Sequence, residues 1–306
     1  MLRAGDTDTS RPGEPPVTCR NYARLGYERL TRGVYGHHAP ADESDERLTK
    51  RRQFRSMVEA VMCAYKSHDI ALYGPTALQV LGVSLPTALE DWQACHVIVS
   101  GRAYRPVRRE VVSHRTTHPL RIWARIKDMP VLHPVEHWAQ MAPARESDMV
   151  EIGDGLVRRQ SPLLSLADLR RHVADMPRVS GVRQVKRVLR QVVSNTDSIY
   201  ETRTRLLLTE AGLPCPTVNH AVHCRSVGRT YHVDMGYEAE KIAVEYDGLI
   251  HVGDRRTMEI DAVRRRALQE AGWLIITATA QQLANPVEFV RSVEAALILR
   301  RSGTTR

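Results

Sequence analysis

Apolar and polar positions alternate along this chain in two distinct rhythms. From Arg47 to Tyr65 the apolar residues Phe54, Met57, Val58, Val61, Met62 and Tyr65 recur every three or four positions, which predicts an amphipathic helix facing a core. A shorter helix is predicted over Pro75–Leu81, with proline suited to its first turn and Gly82 to its end. Strands are predicted at His96–Val99 and Glu110–Arg115, and short helices at His133–Met141, Ser147–Arg158 and Ser165–Val173. Cys19–Pro40 reads as a short helix and then a strand. Between Arg178 and Val193 the residues Val182, Val185, Leu189, Val192 and Val193 form one stripe of a predicted helix. Arg183, Lys186, Arg187 and Arg190 form another at i, i+3, i+4 and i+7.

The rhythm shortens after Ser194-Asn195-Thr196-Asp197, which is turn chemistry. A helix is predicted from Ser198 to Ala211, stopped by Gly212 and Pro214. Strands follow at Val218–Arg225, Tyr231–Tyr237 and Lys241–Tyr246, rich in the Val, Ile and Tyr that suit a pleated surface. Thr257–Ala271 is a predicted helix ended by Gly272, Trp273–Thr277 a buried strand, and Val287–Leu299 a last helix. Strand, crossover helix, strand implies a parallel pair joined to an antiparallel hairpin, hence a mixed sheet. The expected organisation is a disordered tail (1–18), a mostly helical N-terminal domain with a few strands (19–177), a basic connecting helix (178–195), a second domain (196–300) and a short tail (301–306). The fold class is mixed α+β and α/β.

The most pointed chemistry lies in the hairpin. With Glu238-Ala239-Glu240 too short for anything but a turn, centring it on Ala239-Glu240 pairs 237 with 242 and, at the far end, Asp234 with Glu245. Period-two alternation puts Asp247 on the face of Glu245. Three carboxylates would then converge, and facing like charges destabilise a sheet unless compensated. A divalent cation would do it, with Asp234, Glu245 and Asp247 as hard oxygen ligands suited to Mg²⁺ or Mn²⁺. The alternative is that arginines from elsewhere pair these acids, or that the register slips. Cys215, His220, His223 and Cys224 also sit close in sequence, but adjacent 223 and 224 point to opposite faces of a strand and no C-x-x-C is present, which disfavours zinc.

At 306 residues two domains are the better expectation. No apolar run approaches a membrane span, and the polar, proline-containing start carries no signal-peptide core, so a cytoplasmic protein without a membrane partner is expected. Five cysteines with no close pair argue against a disulfide framework. A net charge of +9 favours a polyanionic partner, DNA above all, with simple solubility as the bland alternative. The run Arg102–Arg125 carries seven basic residues against Glu110 alone, and reads either as a solvated loop or as a phosphate-contacting surface.

Glu201-Thr to Pro216, Arg229–Asp234, Ala243-Val-Glu-Tyr-Asp-Gly-Leu-Ile-His251, Asp261-x-x-Arg264 and Ala271-Gly-Trp273 to Leu283 together resemble a bacterial endonuclease-like domain. That domain is related to the very-short-patch-repair endonuclease, within the PD-(D/E)XK superfamily. The resemblance covers about residues 196–300. The N-terminal region is similar to AbiEi-type antitoxins through Arg32-Gly-Val-Tyr35, the basic strands and Leu163–Leu169. What the first likeness implies is metal-dependent hydrolysis of DNA phosphodiesters, with Asp234 and Glu245 on the metal and Glu201 approaching from the first helix. Asp247 stands where the superfamily usually has its catalytic lysine, which leaves His251 as the available proton acceptor. Thr277 stands where relatives usually have arginine, and Met235 where they usually have an aromatic. Glu201 also has a structural reading, since Ser198-x-x-Glu201 is a capping box, and His251 one as a satisfied strand-end histidine.

Arg183, Lys186, Arg187 and Arg190, with Arg255, Arg256 and Arg264, are the expected DNA-binding residues. The rival expectation is a DNA-binding regulator or antitoxin with a catalytically inactive nuclease fold, with a toxin or a second copy as possible partner. A plain interaction module is the third.

Overall fold

A computed structural model describes residues 2–3, 23, 27–31, 34–36, 46–65, 69–101, 105–177, 180–247 and 255–303; at 2, 3, 29, 31, 36, 47, 255–258 and 303 it describes the backbone alone. The chain forms two compact units, Met1–Ala144 with Asp175–Lys186, and Arg145–Ala174 with Arg187–Arg306. The fold is mixed α and β, with mixed sheets flanked by helices. The segment 145–174 therefore belongs with the C-terminal unit, whereas the sequence pattern assigned it to the N-terminal one.

In the first unit β1 (Leu2–Arg3), β2 (Glu28–Thr31) and β3 (Val34–Gly36) form a small antiparallel sheet in the order β1-β3-β2. Helix α1 (Glu46–Ala64) packs against it, burying Phe54, Val58, Val61 and Met62 from the predicted stripe. A second sheet has the order β6-β5-β4-β8-β7, built from β4 (Ile70–Leu72), β5 (Cys95–Ser100), β6 (Val111–Thr116), β7 (Ile122–Ile126) and β8 (Met129–Leu132). Its parallel pairs are β5 with β6 and β4 with β8. Helix α2 (Gly74–Val80) starts with Pro75 in its first turn and closes at Gly82, whose φ of +82° is the left-handed exit a helix end favours. It packs on α3 (Pro134–Gln140). The β7–β8 hairpin turns at Lys127 and Asp128, both at positive φ (49° and 66°), as a two-residue hairpin loop requires.

The second unit contains α4 (Glu146–Leu156), α5 (Leu166–Asp175), α7 (Ile199–Glu210), β9 (Thr217–Cys224), β10 (Arg229–Tyr237), β11 (Ile242–Asp247), α8 (Arg255–Glu270), β12 (Leu274–Thr279), α9 (Ala280–Ala284) and α10 (Val287–Gly303). The short α6 (Val182–Val188) lies where the chain passes from one unit to the other. The four-stranded sheet runs β12-β11-β10-β9, antiparallel except for β11 with β12, as the strand–helix–strand pattern predicts. The hairpin register is Met235↔Val244, Gly236↔Ala243 and Tyr237↔Ile242, that of a turn centred on 239–240.

The sheet buries both faces. Met235, Tyr237, Ile242 and Val244 pack with Leu208 of α7 and with Phe289, Val293 and Leu297 of α10. Val222, Cys224, Val233 and Ala243 pack with Ala267 and Leu268 of α8 and with Trp273. Burial of each large side chain here contributes about 1.5–3 kcal/mol. Val233 and Met235 lie two residues apart and should share a face, yet they sit in opposite cores. The strand changes face at Asp234, across from Asn219, which takes a φ of +49°. Ladder pairs Val233↔His220 and Met235↔Val218 flank the irregularity.

Candidate functional site

Three acids expected at the site come from α7, β10 and β11. Ser198 caps α7, its hydroxyl accepting from the Glu201 N–H at 3.2 Å. The Glu201 carboxylate turns back and accepts from the Asp197 N–H (2.9 Å), one residue earlier than a capping box would have it. The same oxygen accepts from Asn219 Nδ2 at 3.2 Å, and the side chain is buried. Both of these donors are neutral. Burial pushes the Glu201 carboxyl up to about 7 against the pull of the Asp197 N–H; the charges of Asp234 and Asp197 add to the rise.

Asp234 occupies the point where β10 changes face. Its backbone makes no ladder pair with β11 there, and its Oδ2 instead accepts from the Tyr246 N–H at 2.9 Å. Burial, then the nearby charge of Glu245, raise its proton affinity, while the Tyr246 N–H and Arg264 oppose this. Asp234 therefore stands between the other two, its charge acting on Glu201 and that of Glu245 acting on it.

Glu245 is not available in the same way. Arg264, from α8, grips it with both terminal nitrogens, one at 3.1 Å to Oε2 and the other on Oε1. The second nitrogen also donates to the His232 carbonyl at 2.8 Å. The pair is largely shielded, with the two side chains 26% and 14% exposed. This is the arginine pairing that the sequence left open as the alternative to a cation. It also commits Arg264, expected on the DNA, to the interior of the unit. Asp247 is exposed at the end of β11, beside Thr279 of β12.

Among the described residues no three His, Cys, Asp or Glu side chains are grouped to hold one ion. Of the three acids expected to converge, Asp234 and Glu245 interact, while Asp247 stands exposed at the strand end. Glu245, one of the three expected ligands, is already neutralised by Arg264. His251 lies outside the described residues. Arg255 and Arg256 fall in the first turn of α8, with their side chains outside the description.

Comparison with known proteins gives no function. No family model matches the chain. Two curated proteins of Mycobacterium tuberculosis, "Uncharacterized protein MT2308" and "Uncharacterized protein Rv2248", are each 26% identical to it over 211 residues, spanning 68% of this chain and 73% of theirs. Among solved structures, the RV2827C protein of Mycobacterium tuberculosis aligns over 69% of this chain and 78% of its own at 15% identity, with a TM-score of 0.35.

The remaining sequence candidates scatter. Arg183, Lys186 and Arg190 are exposed and Val182, Val185 and Val192 buried, as the stripes predict, while Val188 is buried in place of Leu189, which is half-buried like Val193. The helix itself is shorter than the pattern, ending at Val188. Arg187 pairs with Glu146. In the basic run of the first unit, Arg105, Arg115 and Arg125 donate to the carbonyls of Ser113, Gly101 and Asp128, and Arg108 donates to the Tyr65 hydroxyl at 3.0 Å. His220 packs on Trp273 and over Gly236, where any Cβ would come within 2.8 Å of it, and His223 faces Thr230. Thr277 stands opposite Arg265 Nη2 at 3.4 Å, and Met235 is core.

Sequence reasoning passed over Asn219 and Asp197, which complete the surroundings of Glu201. Asn219 left one usable trace: asparagine is depleted in strands and enriched at left-handed positions.

Proposed function

We propose that this chain is a DNA-binding protein whose C-terminal unit has a nuclease-like fold with its acidic site closed by Arg264. The observation that carries the reading is the two-pronged Arg264–Glu245 pair, which neutralises the carboxylate that a hydrolytic cation would need. Asp247 at the lysine position adds support, since a carboxylate there cannot stabilise a phosphate. Binding itself would rest on charge: the chain carries +9, Arg183 and Lys186 stand exposed on α6, and Arg190 is exposed beyond its end. Three such phosphate contacts give a log–log salt slope of about −3.

Fluorescence anisotropy on duplex DNA in EDTA tests this. Wild-type affinity is expected to fall with that slope between low and moderate salt, and Arg183→Ala, Lys186→Ala and Arg190→Ala each to reduce the slope by about one. Salt-independent association overturns the reading. So does Mg²⁺-dependent plasmid nicking that Asp234→Asn and Glu245→Gln abolish.

A second reading, a Mg²⁺- or Mn²⁺-dependent DNA endonuclease, is favoured by one observation: burial raises the proton affinity of both Glu201 and the half-buried Asp234, with the charge of Asp234 adding to the rise at Glu201 and that of Glu245 to the rise at Asp234. Arg264→Met separates the two. If the arginine holds the site closed, calorimetric Mn²⁺ titration of the full chain shows binding in the variant and none in wild type.

A further inference from the structure

The first unit contains a cavity of about 360 Å³ between α1, the end of α2 and the segment 82–92. That volume lies within the range of small-molecule sites. Its lining has three chemically different parts. Arg51, Arg52 and Arg55 enter from the exposed side of α1, at i, i+1 and i+4, beside Phe54, which is buried. Phe54 and Trp92 meet edge to face at 5.4 Å and 88°, giving the cavity an aromatic wall. Trp92 donates its indole N–H to Glu90 at 3.2 Å, and Glu90 is the single acid among the lining residues.

The third part is Gln79. Both its amide nitrogen and its amide oxygen are buried, and neither has a hydrogen-bond partner. A buried amide without partners is costly, and native proteins rarely keep one that nothing fills. Turned toward the cavity that Gln79 lines, this neighbouring donor and acceptor complement a ligand edge that presents an acceptor beside a donor, which is how glutamine reads a nucleobase edge. An aromatic wall offers such a base a stacking surface, and arginines bind phosphate through paired N–H groups.

We propose that this cavity is a nucleotide-binding site, with the base against Gln79 and Trp92 and the phosphate against Arg51, Arg52 and Arg55. The inference is independent of the acidic site in the other unit. A free mononucleotide and an unpaired nucleotide of a strand share this chemistry.

The test is calorimetry on the full-length protein with the four nucleoside 5′-monophosphates and with a single-stranded DNA hexamer of each base. Saturable binding is expected, weakened about tenfold or more by Arg51→Ala or Arg55→Ala, a size typical of one charge-assisted hydrogen bond. Gln79→Met is expected to equalise the affinities of the four bases and to leave the thermal midpoint at or above that of wild type. Free monophosphates binding as well as the hexamers identifies a soluble ligand; much tighter hexamer binding identifies a strand. Binding by neither at millimolar concentration overturns the proposal, as do unchanged affinities in both arginine variants. Both arginines are exposed on α1, so those variants fold whatever the fate of Gln79→Met.

Discussion

Two buried acids in the C-terminal unit meet the same problem in opposite ways. Asp154, on α4, is 1% exposed and accepts from Arg205 at 2.8 Å, the Thr202 hydroxyl at 2.8 Å and the Val193 N–H at 2.9 Å. Glu201, on α7 only four residues before that arginine, is similarly buried but is met by neutral donors. Burial pushes both carboxyls upward. At Asp154 a guanidinium offsets the cost and the pair ties α4 to α7. At Glu201 the charge is left to be neutralised by a proton, with a second acid, Asp234, alongside. The first arrangement serves the fold. The second is the kind of perturbed cluster that marks functional sites.

The sharpest way to break that contrast is Arg205→Ala, which leaves Asp154 buried and unpaired. A loss of about 3–5 kcal/mol is expected, measured by urea denaturation at pH 7. A smaller loss would mean that Asp154 is held by its neutral donors, as Glu201 is.

Next in size is the pH dependence of Glu201. Its folded-state affinity for protons, near 7, exceeds that of an unfolded glutamate, so the folded state holds the extra proton between those values. Stability should therefore fall as pH rises from about 5 to 7, by at most about 3 kcal/mol. Glu201→Gln keeps the acceptor for the Asp197 N–H and should flatten the slope, leaving the variant more stable than wild type at pH 8. The check is the urea midpoint of both proteins across that range.

The finest probe is Asp234→Asn. It preserves an acceptor for the Tyr246 N–H and removes a charge that ranks below burial in raising Glu201. The Glu201 titration, followed by carboxyl ¹³C NMR, should move down by less than about one pH unit. No movement would place the two acids too far apart to form a cluster.

Much of this architecture can be read from the residues. The αβββαβ order and the 235/244 register follow from alternation around a turn too short to be anything else. The face change at Asp234 does not, because it depends on Asn219 adopting a left-handed conformation in a neighbouring strand. Ile70–Leu72 is three residues long and wholly buried, too short to show a period. Ile122–Ile126 hides in the basic run because its exposed pattern is that of an edge strand. At the site, alternation finds the acids but not their partners. Nothing in the spacing of Arg264 distinguishes a guanidinium that grips Glu245 from one that faces DNA, since both are arginines on a basic helix. The boundary near 196 fails for a related reason: periodicity reports which face of a helix is apolar, and is silent on which neighbour covers it.

The route of the chain through α4 has a practical consequence for dissecting this protein. A fragment begun at the turn around residue 196 would contain the entire four-stranded sheet, yet it would strand Arg205 in the interior without Asp154 and remove Glu151 from Arg203. Such a piece should aggregate or misfold for reasons unrelated to the chemistry of its acids. An expression boundary at Arg145 retains both carboxylates, and is where truncation should begin.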